Sequence, residues 1–133
     1  MDRIFLDANV LFSAAYRQDS SLLRLWDLRD VVLLTSAYAL EEARRNLDTA
    51  EQRDRLERLS ARMEVPLAVA VTADLPSEVN LPEKDRPILQ AAIGVGATLL
   101  LTGDRRAFGR YYGQVLSGVL VLKPSAYFSG RKD

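Results

Sequence analysis

The sequence contains no cysteine and no histidine. Without cysteine no disulfide framework can form, and without both residues cysteine–histidine zinc sites and histidine-based acid–base catalysis are excluded. Catalysis would therefore have to use carboxylates, hydroxyls, Lys or Arg, or a hard metal ion bound through oxygen. The lack of thiols also suits a reducing compartment, and we expect the protein in the cytoplasm.

Long apolar stretches are absent as well. No apolar run approaches the roughly 20 residues that cross a membrane, and none near the N-terminus has the length of a signal peptide. We therefore expect no membrane association. The 133 residues are 48% hydrophobic and 27% charged, which is typical of one globular domain spanning residues 1–133.

The net charge is zero but unevenly distributed. Residues 1–102 carry 12 basic and 16 acidic side chains, whereas residues 103–133 carry 6 and 2. Basic residues with aromatic neighbours can hold a nucleic-acid backbone, and a solvated basic end is the simpler alternative. The basic residues of this segment are Arg105, Arg106, Arg110, Lys123, Arg131 and Lys132.

Five short apolar runs recur along the chain, at residues 4–6, 31–34, 67–71, 99–101 and 119–122. They do not alternate with polar residues, which is typical of strands buried on both faces in a parallel sheet. Segments with helical periodicity lie between them. Ser36 and Asp85 are candidate N-caps of two such helices, and Leu40 and Leu47 mark a buried stripe. The pattern predicts an α/β fold with right-handed crossovers.

Four carboxylates are predicted at one edge of this sheet. Asp7 follows the first strand and Asp104 the strand at 99–101, while Asp85 opens the helix before that strand and Glu42 lies early in the helix after the second. Ligands of open α/β sheets bind at the carboxyl ends of the strands. Each acid has an ordinary alternative: Asp7 or Asp85 as a helix cap, Asp104 as a turn residue, Glu42 as a solvated helix residue.

Such a cluster needs neutralisation. Two like charges 4 Å apart repel by about 4 kcal/mol at an effective dielectric constant near 20. Protons must be shared or a cation bound, and oxygen ligands select Mg²⁺ or Mn²⁺. We therefore expect a divalent metal ion among these acids.

The sequence resembles the PIN-domain ribonucleases, and among them the bacterial toxins of toxin–antitoxin pairs. The resemblance lies in "LDANV", "SAYALEEARRNL", "LPEKDRPILQAA" and "LLLTGDRRAF", which are similar to that family's four acidic motifs in order and spacing. It implies a single PIN-like domain with a five-stranded, mainly parallel sheet between helices. It also implies Mg²⁺ or Mn²⁺ held by the catalytic residues Asp7, Glu42, Asp85 and Asp104.

Further expectations follow from the resemblance. Asn9 matches a polar residue that supports the first Asp, and Ser36 and Thr102 match hydroxyl residues bordering the site. Many members carry another acidic or polar residue just after the fourth motif, where this chain has Arg105 and Arg106. A fully occupied second metal position is therefore not implied.

The activity implied is hydrolysis of RNA phosphodiester bonds by a toxin that forms a homodimer and is blocked by an antitoxin protein. Arg105, Arg106 and Arg110 are expected to hold the phosphates flanking the cleaved bond, because a metal site alone gives little grip on a polymer.

Two alternatives remain. A haloacid-dehalogenase-type phosphatase would need Asp-x-Asp, but Asn9 follows Asp7, and it would need a second Asp where Phe108 stands. A PIN-like module that binds RNA without cleaving it would retain the fold and lose the activity.

The adjacent acids Glu41 and Glu42 point about 100° apart on a helix, so only one can face the sheet. Glu41 has Arg44 and Arg45 three and four residues later, the spacing of solvated ion pairs. Glu42 borders the buried stripe, and we expect it to face the site.

Overall fold

The sheet is built from four strands that the apolar runs predicted and one that they did not. The computed structural model describes residues 1–66 and 74–131. Its strands are β1 (Asp2–Leu6), β2 (Val31–Leu34), β3 (Leu99–Leu101), β4 (Val115–Leu116) and β5 (Val119–Leu122). The predicted strand at 67–71 lies outside the described residues.

Six α-helices accompany the strands in the described part of the chain, and two of them directly follow the predicted caps Ser36 and Asp85. They are α1 (Ala8–Tyr16), α2 (Ala37–Asn46), α3 (Ala50–Ser60), α4 (Arg86–Gly94), α5 (Arg105–Phe108) and α6 (Pro124–Ser129). Short 3-10 helices cover Ser21–Asp27, Glu83–Asp85 and Gly109–Tyr111. Among the described residues, none of the helices has the length and apolar character that crossing a membrane requires.

The strands are ordered β2-β1-β3-β5-β4, and every neighbouring pair is parallel except β4 with β5. The predicted five-stranded, mainly parallel sheet between helices is confirmed. β4 was missed because two residues carry no periodic signal. It exists through a tight hairpin in which Ser117 and Gly118 both adopt positive φ, 49° and 86°, as type I′ turns require.

The core fills the space between sheet and helices. Phe5, Leu34, Leu100 and Phe108 are completely buried, and the predicted stripe of α2 is buried too. α1 packs against α2 and α3. Parallel pairing places the carboxyl ends of β1, β2, β3 and β5 at one common edge of the sheet.

Two threonines fasten β1 to its neighbours at opposite ends. The buried Thr35 hydroxyl donates a hydrogen bond to the Leu6 carbonyl oxygen at 2.9 Å, at the carboxyl end of β1 and β2. The exposed Thr98 hydroxyl oxygen accepts from the Arg3 amide at 2.9 Å, at the amino end. Water can replace the second hydroxyl but not the first.

We predict that Thr35→Val lowers the free energy of unfolding by about 1–2 kcal/mol, because the buried Leu6 carbonyl loses a donor that water cannot replace. Thr98→Val, the matched control, should cost less than half as much. Urea denaturation monitored by circular dichroism measures both. Equal losses of unfolding free energy in the two variants would contradict the conclusion that the buried Thr35 hydrogen bond contributes more than the exposed one of Thr98.

Candidate active site

Asp7 is a buried carboxylate at the end of β1, with 3% of its surface exposed. Its Oδ1 accepts a hydrogen bond from the Ala8 amide at 2.7 Å, so Asp7 is the N-cap of α1. Its Oδ2 accepts from the Thr102 hydroxyl at 2.7 Å. The pKa of Asp7 is raised to about 6, mainly by burial and to a smaller extent by the charges of Glu42 and Asp85, while the hydrogen bonds from Thr102 and Ala8 oppose the rise. Asp7 is therefore both the N-cap of α1 and the buried acid of the candidate site.

Asn9 joins the end of β1 to the loop after β3. Its Nδ2 donates to Asp7 Oδ2 at 3.2 Å and to Thr102 Oγ1 at 3.4 Å, and its Oδ1 accepts from the Gly103 amide at 2.7 Å. A Cβ on Gly103 would stand 3.2 Å from Asn9 Oδ1, so glycine permits this close approach. The structure thus brings Asn9 and Thr102 into contact with Asp7.

Asp104 stands directly beyond this loop and is half-buried. Its amide donates to Thr102 Oγ1 at 3.1 Å, and its Oδ1 accepts from the Ala107 amide at 3.2 Å, which makes Asp104 the N-cap of α5. Like Asp7, it therefore orders a helix start while standing at the carboxyl end of a strand.

Asp85 differs from the other aspartates. It precedes α4, but its carboxylate makes no capping hydrogen bond, so the prediction of Asp85 as an N-cap is wrong for its side chain. The reason is local: the 3-10 turn Glu83–Asp85 leads straight into the helix, with Asp85 already in helical conformation. Within the described part of the chain its Oδ2 is buried without a hydrogen-bond partner. Burial raises the pKa of Asp85, and the charges of Asp104 and Glu42 add to this effect.

Glu42 and Glu41 take the orientations that the helix argument predicted. Glu42 is partly buried, and its charge raises the pKa of both Asp7 and Asp85. Glu41 is exposed and forms an ion pair with Arg44 at 2.9 Å. Glu42 is therefore the acid of α2 that belongs to the sheet edge.

The four acids interact through their charges without enclosing one point. Among residues 1–66 and 74–131, no three acidic side chains lie close enough together to hold a metal ion in common. The donor chemistry nevertheless fits a hard divalent cation: every donor is oxygen, Asp7 is desolvated, and a buried Asp85 oxygen has no partner among the described residues. Asp7, Glu42, Asp85 and Asp104 are the residues that could hold it.

The other predicted site residues are Ser36 and three arginines. Ser36 is buried near the same edge, but its hydroxyl oxygen accepts from the Ala39 amide at 3.2 Å as the N-cap of α2. Arg105 and Arg106 are exposed on α5, directly after Asp104, and the exposed Arg110 lies 6.0 Å from the centre of the Tyr111 ring. Among the described residues, the Ser36 side chain forms no hydrogen bond with an acid.

The basic C-terminal segment divides between the two edges. Arg131 hydrogen-bonds Asp30 at 2.8 Å and Tyr127 at 2.8 Å, and lies 3.8 Å from Asp2, all at the amino ends of the strands. Lys132 lies outside the described residues. Arg131 thus has a structural role at the edge of the sheet opposite the four acids of the candidate site.

Three residues at the acidic edge were not among the predicted site residues. The Tyr112 hydroxyl donates to the Thr102 carbonyl at 2.9 Å, and the Tyr38 hydroxyl to the Lys84 carbonyl at 2.7 Å. The exposed Lys123 follows β5, whose pairing with β3 places it beside Thr102. Only Lys123 had a usable signal, since it too directly follows a parallel strand.

Tyr112 also links the acids to the neighbouring arginine. Burial and the charge of Asp104 raise the pKa of Tyr112, and Arg105 opposes them. Positive and negative side chains therefore meet around this ring.

Comparison with known proteins gives the family. A sequence model described as PIN domain matches residues 3–106. A chain in the crystal structure of VapBC2 from Rickettsia felis, bound to a DNA fragment from their promoter, is 17% identical with a TM-score of 0.68, covering 91% of this chain and 98% of that one. No significant match is found among curated proteins.

Two further structures are similar in fold. A chain of VapBC-1 from nontypeable Haemophilus influenzae is 17% identical, with a TM-score of 0.57 over 91% of this chain and 97% of its own. A chain of FitAB bound to an IR36 DNA fragment is 22% identical, with a TM-score of 0.56 over 91% of this chain and 94% of its own. At these identities the likeness is one of fold.

We predict that Asp7→Asn stabilises the metal-free protein increasingly as the pH rises. The folded-state pKa of about 6 exceeds the ordinary 3.8, so the folded protein holds the Asp7 proton more tightly and loses stability as the pH rises through 6. The wild type should fall behind Asp7→Asn by up to about 3 kcal/mol at neutral pH, less whatever Asn loses in hydrogen bonding. Urea denaturation in chelator between pH 4 and about 7.5 measures this difference. A difference independent of pH would contradict the raised pKa.

Proposed function

Because this chain belongs to the PIN-domain family, we propose that it is a Mg²⁺- or Mn²⁺-dependent ribonuclease that hydrolyses RNA phosphodiester bonds at the acidic edge of its sheet. The observation that carries the proposal is the charge interaction of the desolvated Asp7 with Glu42 and Asp85, and of Asp85 with Asp104. One oxygen of Asp85 is also buried without a partner in the described part of the chain. Family membership also removes the phosphatase alternative.

Asp7, Glu42, Asp85 and Asp104 would hold the cation. When bound, a divalent ion supplies charge neutralisation at the phosphate and makes nearby water more acidic. The chain itself does the positioning. Hydrogen bonds from Thr102 and Asn9 orient Asp7 and favour its charged form. Glu42, which is more accessible than Asp7 and Asp85, can accept a proton from the attacking water.

Phosphate binding is assigned to the arginines beside Asp104. Arg105, Arg106 and Arg110 are exposed and follow Asp104 in the chain, and the charges of Arg105 and Asp104 both act on Tyr112. We assign the two phosphates flanking the cleaved bond to this group. Lys123, next to Thr102, adds a fourth positive charge on the β5 side. The substrate we propose is single-stranded RNA, on the basis of the motif resemblance.

The same resemblance supports a role as the toxin of a toxin–antitoxin pair, acting as a homodimer with a cognate antitoxin protein. The fold likeness to chains of the VapBC and FitAB structures is consistent with this proposal. Co-expression with the protein encoded by the adjacent gene, followed by size-exclusion chromatography, tests both the partner and the oligomeric state.

The nuclease proposal is tested with two neighbouring acids. Glu42→Gln should reduce Mn²⁺-dependent cleavage of labelled single-stranded RNA by about tenfold or more, because it removes a charge facing Asp7 and Asp85. Glu41→Gln, the matched control, should cleave almost normally, because Glu41 pairs with Arg44 in solvent.

Chelator must abolish cleavage by the wild type. RNA that is bound but never cut would favour the binding-only alternative. If Glu41→Gln strongly reduced cleavage while Glu42→Gln cleaved normally, the wrong face of α2 would have been assigned to the site.

We predict that Arg105→Ala/Arg106→Ala raises KM and flattens the salt dependence of RNA binding. For single strands each lost phosphate contact lowers the slope of log K against log salt by about 0.7. The control is Arg29→Ala/Arg58→Ala, which removes the same charge from exposed positions before β2 and on α3. Fluorescence anisotropy over a salt series measures the slopes. Equal slopes for both double variants would place the RNA elsewhere.

A further inference from the structure

Tyr38 is an exposed tyrosine with one specific contact. Its side chain lies on α2, one turn before Glu42, and the residue is 42% exposed, so burial in the core does not explain its position. Its hydroxyl donates to the Lys84 carbonyl oxygen at 2.7 Å, across 46 residues of sequence. This bond joins α2 to the turn that carries Asp85.

The accepting carbonyl belongs to the peptide that directly precedes Asp85. Peptide planarity couples the orientation of the Lys84 carbonyl to the position of the Asp85 backbone. The turn Glu83–Asp85 is short, and Asp85 itself makes no capping hydrogen bond that would anchor its carboxylate. The Tyr38 hydroxyl is therefore an external restraint on where this acid stands.

The restraint acts against a repulsion. Tyr38 and Glu42 are four residues apart and so share one face of α2, which directs both towards the same neighbour. Glu42 and Asp85 carry like charges and interact electrostatically. Without a cation, this repulsion pushes the turn away from α2, and the Tyr38 hydrogen bond opposes that movement.

We propose that Tyr38 is a positioning residue of the proposed metal site, whose hydroxyl restrains the turn that carries Asp85 against movement away from Glu42. The inference rests on the proposed function and adds to it a residue that itself touches neither metal nor RNA. Its hydroxyl acts through the Lys84–Asp85 peptide.

The test is Tyr38→Phe, which keeps the ring and removes only the hydroxyl. Tyr16→Phe is the matched control, because Tyr16 is also 42% exposed and its hydroxyl has no hydrogen-bond partner in the part of the chain the structure describes. Isothermal titration calorimetry with MnCl₂, well below the melting temperature, should give a dissociation constant roughly two- to tenfold higher for Tyr38→Phe than for wild type. Tyr16→Phe should bind as the wild type does.

A second measurement needs no metal. In chelator, hydrogen exchange of the amides at 83–86 should be faster in Tyr38→Phe, while exchange in the β1–β3 core stays unchanged. Equal Mn²⁺ affinity of wild type and Tyr38→Phe, or equal exchange at this turn, overturns the inference and leaves the proposed function standing. A wild-type protein that binds no Mn²⁺ overturns both.

Discussion

The desolvation of Asp7 is the constraint around which this edge of the molecule is arranged. A carboxylate that is almost wholly buried at the end of a strand is costly when ionised, and the raised pKa of Asp7 expresses that cost. The Ala8 amide, the Thr102 hydroxyl and the Asn9 amide offset part of it. The remainder is what a cation would relieve.

A set of hydrogen bonds holds the acid-bearing segments to one another at the carboxyl ends of the strands. Thr35 ties β2 to β1, and Asn9 ties α1 to the loop after β3, in each case between segments far apart in sequence. Tyr112, ten residues after Thr102, fastens that same loop from the other side. These bonds are made by uncharged hydroxyl, amide and carbonyl groups. They therefore hold the mutually repelling acids in place without neutralising their negative charge.

The sequence predicted those parts of the fold and site that depend on local pattern. Asp7 and Asp104 were predicted as site residues because each follows a buried parallel strand, and Glu42 was chosen over Glu41 by helix periodicity. Asp85 was assigned to the right turn, but its carboxylate does not cap α4, since the preceding 3-10 turn changes the geometry. Tyr38 and Tyr112 were missed because their partners are single carbonyl groups, which leave no trace in residue type or spacing.

Asp7 and Asp104 are helix N-caps as well as acids of the candidate site, and this has a consequence for ligand binding. A cap fixes the carboxylate rotamer through a hydrogen bond to the helix start, at the Ala8 amide in one case and the Ala107 amide in the other. The rotational entropy of these two side chains is therefore lost when the protein folds. A ligand arriving at the edge meets acids that are already oriented, and its affinity is not reduced by ordering them.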